Sequence, residues 1–212
     1  MKDNFVDVEQ RVKRYWFKDG IGELAGGGLF VMLGLFFAGN EWLPSNSLAR
    51  TLLDSSLILV LISGMFITRW LINLLKTHLT YPRTGYVEYF PSKKNTPSRR
   101  TLTAVIAMSV SISMILFGRV TGSFNWISGF TGLAVGVILI MTQAQSGGRK
   151  FYILGVFTIV LGLTLSFSGL SEVYSLGLFY GLTGVAAMLS GGLTLARYLR
   201  ENPMPVEESN ER

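Results

Sequence analysis

The sequence predicts an all-α, polytopic membrane helix bundle of about six transmembrane helices, with both termini in the cytoplasm. Three observations predict it. Only 15% of the 212 residues are charged, whereas a soluble domain has about 25%, and the mean hydropathy is +0.42. Apolar runs of span length recur along the chain. Lysine and arginine residues collect in alternate connections between those runs.

Residues 1–19 predict an amphipathic segment lying in the membrane interface. Phe5, Val8 and Val12 recur at helical spacing, and cationic residues lie among them. Trp16 stands just before the first apolar run, at the level where amphipathic rings meet headgroups. A plain solvated helix is the alternative for this segment.

Six spans follow from the apolar runs. They lie near residues 20–39, 51–76, 101–117, 126–142, 151–167 and 176–199. The runs are continuous and do not alternate as the strands of a barrel would, so helices are expected. The third, fourth and fifth runs are close to the lower limit of about 17 residues for a span. Residues 77–100 form a loop, and 200–212 form a polar tail.

The cationic residues orient the bundle. Of the 19 lysines and arginines, 16 lie in the amino-terminal segment, the 77–100 loop and its preceding Lys76, the 149–150 connection or the carboxyl-terminal end. Arg50 and Arg119 fall on the other side, and Arg69 lies within the second span. The positive-inside rule places the richer side in the cytoplasm. The net charge of +6 is thereby explained without nucleic acid, although attraction to anionic headgroups follows from it.

Motifs of catalysis are missing from the sequence. It has no cysteine, one histidine, and no GxxxxGK[ST], HExxH or GxSxG motif. No metal site or cofactor is expected, and the chain is expected not to be an enzyme.

Ionisable residues inside the predicted spans are the sharpest polar signal, because a charge in lipid is costly. Glu23 and Arg69 both fall toward the cytoplasmic side, which predicts an ion pair with Asn73 nearby. Asp54 and Arg119 fall toward the outer side and are predicted to pair likewise. The pairs predict either two gates of one pathway or two structural contacts. None of the four charges lies at mid-membrane, where transport sites usually sit, and this favours the structural interpretation.

The 77–100 loop is the best interaction candidate, because it is the only substantial segment outside the membrane. It carries tyrosines between basic residues, a composition that suits phosphate headgroups or an acidic partner surface. Its candidate residues are His78, Tyr81, Arg83, Tyr86, Tyr89, Lys93 and Lys94. An ordinary positive-inside loop is the alternative.

Pairs of glycines mark predicted close helix contacts. Gly-xxx-Gly spacing lets two backbones approach. The pairs are Gly22 with Gly26, Gly132 with Gly136, and Gly177 with Gly181. Each pair predicts either a contact within the chain or a homo-oligomeric face.

Two short motifs carry a resemblance. Arg14-Tyr15-Trp16 with Asp19-Gly20, followed by the YPRTGYV sequence at 81–87, resembles a group of uncharacterised prokaryotic multi-pass membrane proteins. The resemblance covers the first two spans and their cytoplasmic flanks. It implies a prokaryotic plasma membrane and brings no activity with it.

Three function classes are therefore expected. The first is a non-enzymatic scaffold, sensor or accessory subunit that binds a partner protein through the 77–100 loop. The alternatives are a small transporter or channel, and a membrane enzyme acting on lipid. The missing catalytic motifs and the aromatic, basic loop favour the first.

Overall fold

A computed structural model describes residues 18–44, 46–84, 97–121, 126–146 and 149–203. Within them every regular element is helical, which confirms the all-α fold class. The main helices are α1 (Ile21–Trp42), α2 (Leu48–Leu75), α3 (Pro97–Thr121), α4 (Ile127–Ser146), α5 (Arg149–Ser166) and α6 (Glu172–Glu201). Each overlaps one predicted span. Residues 1–17 of the predicted interfacial segment 1–19, and residues 204–212 of the predicted polar tail 200–212, lie outside the described residues.

Four helices are long and apolar enough to cross a membrane, by length and composition. They are α1, α2 with its continuation to Arg83, α5 and α6. The chain is therefore a helical membrane protein. In α3 and α4 the apolar stretches are shorter, Ser111–Val120 and Ile127–Thr142, so full spans there stay a prediction.

The starts of three helices are set by local polar contacts. Gly20 has a φ of 72°, a left-handed conformation that favours glycine, and the Asp19 carboxylate accepts from the N–H of Ile21 at 3.2 Å. Ser47 caps α2 by accepting from the Arg50 N–H, and Ser171 caps α6. Each cap satisfies an N–H that has no partner within its helix.

The second helix extends farther than its apolar run predicts. After Leu75 the chain makes a π-helical turn, Lys76–Thr80, and then an α-helical turn, Tyr81–Thr84. Residues 77–84, predicted as the start of a loop, are thus helical. Such a turn is a local widening that re-aims the side chains after it.

Glycines spaced seven residues apart form the contact between α1 and α6. The three pairs are Gly20 with Gly191, Gly27 with Gly184, and Gly34 with Gly177. A Cβ built on Gly27 would lie 2.7 Å from the carbonyl oxygen of Gly184, and one built on Gly184 would lie 2.7 Å from the carbonyl oxygen of Gly27. The two backbones touch directly and run antiparallel. We call this contact the α1–α6 glycine seam.

A second antiparallel contact joins α4 to α5. Gly132 and Gly162 face each other, and a Cβ on either would come 2.9 Å from the Cα of the other. A Cβ on Gly136 would lie 2.7 Å from the carbonyl oxygen of Gly155. The predicted pair Gly132–Gly136 therefore lies at a contact within the chain.

The other predicted glycine pairs are placed differently. A Cβ on Gly22 or Gly26 would meet no atom within 4 Å, so both face away from the α1–α6 glycine seam. Gly177 lies in that seam. Gly181 borders it with its backbone, because a Cβ on Gly34 would lie 2.5 Å from its nitrogen, while its own missing Cβ points into open space.

The helix α2 lies at the edge of the bundle. Only 6% of its most apolar stretch is buried within the protein, against 39% for α1. Its buried residue is Gly64, which admits the side chains of Leu29 and Met32 from α1. The large apolar side chains of α2, Phe66 and Ile58 among them, are exposed and face where lipid would lie.

Candidate functional site

Asp19 lies buried just before α1 and binds two side chains of the α2 continuation. Its Oδ2 atom lies 3.4 Å from the Lys76 ammonium and accepts from the Thr80 hydroxyl at 3.5 Å. The side chains of Asp19 and Lys76 are 3% and 5% exposed. Two charges so far from water persist only when they are paired and hydrogen-bonded. The contact therefore fixes the continuation of α2 to the start of α1.

Glu23, in the first turn of α1, binds side chains of two other helices. Its Oε1 atom pairs with the Lys150 ammonium, and its Oε2 atom accepts from the Ser190 hydroxyl at 3.1 Å. Lys150 is the second residue of α5, where the helix dipole disfavours a cation. The carboxylate offsets that cost and draws α5 and α6 toward α1.

Both sets of contacts lie at the same end of α1, and most of the cationic residues within the described ranges lie at that end of the bundle. We call that end the basic end. The basic-end cluster comprises Asp19, Glu23, Lys76, Thr80, Lys150 and Ser190. It holds two carboxylates and two ammonium groups, so its charges cancel. It joins α1 to α2, α5 and α6.

At the same basic end, Arg83 joins the continuation of α2 to the carboxyl end of α6. Its guanidinium donates to the carbonyl oxygens of Leu199, at 3.1 Å, and Asn202, at 2.9 Å. These oxygens belong to the last turn of α6 and the residue after it, where carbonyls have no partner within the helix. A cation is also favoured at a helix carboxyl end. Arg83 therefore acts as a cap for α6.

The opposite end has polar contacts of its own. The Asn40 amide donates to the Asp54 carboxylate and joins α1 to α2. The Ser171 hydroxyl donates to Glu41 at 2.7 Å and joins the start of α6 to α1. The first contact holds the edge helix α2, and the second adds to the α1–α6 glycine seam at the end where Gly34 meets Gly177.

Three buried serines meet where α4 and α6 begin and α5 ends. Ser175 donates to Ser128 at 2.9 Å, and the hydroxyls of Ser128 and Ser166 lie 3.2 Å apart. Ser166 also accepts from the N–H of Gly129 and donates to the carbonyl of Gly162. We call this group the serine junction. Its hydroxyls bind one another and the backbone, which makes it a structural contact among three helices.

The structure does not form the two ion pairs that the sequence predicts. Glu23 contacts Lys150 and Ser190, whereas Arg69 and Asn73 are exposed on α2. Asp54 accepts from Asn40, and Arg119 is exposed on α3. The prediction of these two ion pairs rests on the depth of each residue along the membrane. Depth does not tell which faces of the helices meet, and that depends on tertiary packing.

The predicted loop residues divide into two groups. His78 is exposed on the π-helical turn, with Nδ1 2.9 Å from the Leu74 carbonyl, and Tyr81 is half-buried. Arg83 caps α6. The other four, Tyr86, Tyr89, Lys93 and Lys94, lie outside the described residues.

Sequence reasoning missed most of the basic-end cluster. Topology alone explains Lys150, Asp19 ends the predicted interfacial segment 1–19, and Ser190 resembles any small residue within a span. The sequence does carry a signal for the α1–α6 contact beside this cluster, because glycines recur every seven residues before and within α1 and again in α6.

The chemistry available at these contacts is pairing of charges and hydroxyls. Over the described part of the chain, no three His, Asp or Glu side chains gather as a metal site would require. His78 bonds to the backbone of its own helix and Glu23 is buried at Lys150. The cluster therefore fits the role of holding four helices in one arrangement.

Comparison of the chain with models of protein families, with curated proteins and with solved structures gives no match.

Proposed function

We propose that the chain is a non-enzymatic membrane component, a scaffold, sensor or accessory subunit, that binds a partner protein through the 77–100 segment. The observation that carries the proposal is the anchored continuation of α2. Lys76 and Thr80 bind Asp19, and Arg83 binds the end of α6. The segment that follows residue 84 thus starts from a point fixed to two other helices.

A fixed base matters for recognition, because a binding segment loses less entropy when its attachment is already ordered. The segment carries Tyr86, Tyr89, Lys93 and Lys94. Tyrosine is enriched among residues that dominate interface energies, and lysines attract acidic surfaces. Anionic headgroups are a second set of partners for the same lysines.

The state of the buried charges also supports a non-enzymatic role. The carboxylates of Asp19 and Glu23 are each held by a lysine and a hydroxyl. Catalytic acids usually lie in clefts that are open to a substrate. Paired acids that join helices are typical of structural contacts.

The test is site-specific photo-crosslinking in native membranes. A benzophenone amino acid replaces Tyr86 or Tyr89, and Tyr152, an exposed tyrosine on α5, serves as the matched control position. The proposal expects one protein adduct from positions 86 and 89 that is absent at 152. It also expects that adduct to disappear when Lys93→Glu and Lys94→Glu are added. Adducts to lipid alone, or the same adducts from all three positions, would reject it.

A small transporter is the second candidate, and Thr183 favours it. Its hydroxyl is buried near the middle of α6 without a hydrogen-bond partner among the described residues. Ser175 and Ser190 lie eight and seven residues away, hence on the same side of the helix. Transport expects solute flux in proteoliposomes that changes in Glu23→Gln, Asp54→Asn or Thr183→Val. Flux equal to that of protein-free liposomes would remove this candidate.

The location proposed with this function is a prokaryotic plasma membrane, with the basic end in the cytoplasm. The resemblance of the YPRTGYV motif supports the first part. The distribution of lysine and arginine supports the second.

A further inference from the structure

Arg69 is an exposed cation on an apolar, exposed helix surface. Glu23, the predicted ion-pair partner of Arg69, pairs with Lys150 instead. In the described part of the chain no acidic side chain lies within ion-pair distance of Arg69. A guanidinium is always charged, so at this position it calls for an anion from outside the chain.

The position of Arg69 along α2 suits the boundary between lipid tails and headgroups. Asp54 and Arg69 are separated by about 22 Å at the helical rise of about 1.5 Å per residue. A hydrocarbon core is about 30 Å thick, so a centred helix puts each of the two charges within about 4 Å of a boundary. The long arginine side chain reaches the phosphate level from there. The exposed Trp70 beside it is typical of the same level.

The neighbours of Arg69 supply the rest of a lipid site. Asn73 lies one turn farther toward the basic end and is exposed, so its amide adds donors on the same side. Toward mid-membrane, Met65 and Ile62 lie one and two turns away on that side, exposed by 54% and 49%. Polar donors therefore stand at one end of a strip of apolar side chains, which matches the layout of a phospholipid.

We infer that Arg69 and Asn73 bind the phosphate of an anionic phospholipid, with one acyl chain along Met65 and Ile62. Arginine binds phosphate through two parallel N–H groups, and the attached chain adds apolar contact. The site lies on the lipid-facing side of α2, away from the 77–100 segment. It goes beyond the proposed function, and either can fail without the other.

Native mass spectrometry of the full chain, delipidated in detergent and titrated with phosphatidylglycerol, tests the inference. Arg69→Gln should weaken binding of the first lipid by about tenfold, the loss of one charge-assisted contact. The matched control is Arg197→Gln, which removes the same charge from an exposed position at the same end. Glu201, one turn beyond Arg197, disfavours phosphate there. Arg197→Gln should leave the first binding event unchanged.

Further measurements distinguish a lipid phosphate from free inorganic phosphate and check that each variant is folded. Inorganic phosphate at millimolar concentration should not displace the lipid; displacement would mean a free-anion site and would overturn the lipid assignment. Arg69→Lys keeps the charge and should bind with intermediate strength. Each variant must give the helical circular dichroism of the parent chain. Equal lipid binding by the parent, Arg69→Gln and Arg197→Gln would overturn the inference.

Discussion

Gly27 and Gly184 pack backbone to backbone in the middle of the α1–α6 glycine seam. A methyl group on Gly184 would lie 2.6 Å from the Val31 nitrogen, which belongs to helix backbone and cannot turn aside. The seam joins the first and the last described helices, while α4 and α5 are joined by a separate glycine contact.

We expect Gly184→Ala to destabilise the bundle by about 1–3 kcal/mol, as overpacking commonly does. The matched control is Gly26→Ala, which adds the same methyl group where no atom lies within 4 Å. Alanine is the better helix former, so the control should be neutral or stabilising. The measurement is the midpoint of thermal unfolding in detergent, followed by circular dichroism. Equal midpoints for the two variants would contradict the seam.

We expect Glu23 and Lys150 to be coupled in a double-mutant cycle. Glu23→Gln and Lys150→Met should show an interaction free energy of about 0.5–3 kcal/mol, since each single change leaves the other charge without its partner. A parallel cycle of Glu23→Gln with Arg69→Gln should be additive within about 0.5 kcal/mol. The measurement is the free energy of unfolding in detergent. Coupling to Arg69 alone would restore the pair that the sequence predicted.

We expect Arg83→Gln to loosen the end of α6. The change removes the bonds to Leu199 and Asn202, and a charge-assisted bond contributes about 1.5–3 kcal/mol. Amide hydrogen exchange over residues 198–203 should rise at least tenfold by mass spectrometry, while the α4–α5 contact keeps its protection. His78→Gln, at an exposed position, serves as the control. Unchanged exchange in Arg83→Gln would show that the Arg83 cap does not stabilise the end of α6.

We expect Ser166→Ala to destabilise the junction of α4, α5 and α6 by about 1–3 kcal/mol. It leaves the buried N–H of Gly129 without an acceptor. Ser168→Ala is the matched control, because that hydroxyl is exposed and bonds only to its own turn. Thermal unfolding in detergent compares them. A loss of the same size in both variants would remove the serine junction as its cause.

We expect single cysteines to report the orientation cleanly, since the chain has none of its own. Cysteine in place of Ser168, at the end opposite the basic end, should react with a membrane-impermeant maleimide in intact cells. Cysteine in place of Thr77 should react only after the membrane is opened. Both positions are exposed. The reverse pattern would invert the predicted topology.

The sequence was sufficient for the helices and insufficient for their pairing. Long apolar runs and turns dictated all six helices, because span length and backbone satisfaction leave few other solutions. The partner of Glu23 was not predictable, since Lys150 is distant in sequence and only the fold brings α5 beside α1. The continuation of α2 to Thr84 was missed because its helical turns carry polar residues and a proline.

The glycine contacts show a subtler limit. Spacing of four residues predicts helices that cross steeply, and this led to Gly22 and Gly26. In the α1–α6 glycine seam the spacing is seven instead, which keeps two antiparallel helices in register along a shared line. The sequence shows this period in Gly20, Gly27 and Gly34. The period predicts a helix contact only when a partner helix with the same glycine spacing is identified.

The α1–α6 glycine seam has a consequence for how the bundle is made. The helix α1 is synthesised before α6 and depends on it for packing, and at about 5–20 residues per second on the order of ten seconds pass between them. Throughout that interval the glycine strip of α1 lies in the bilayer without α6 packed against it. A nascent chain halted before α6 would keep that strip uncovered, so an unfinished copy would differ from a finished one by an exposed line of glycine backbone on α1.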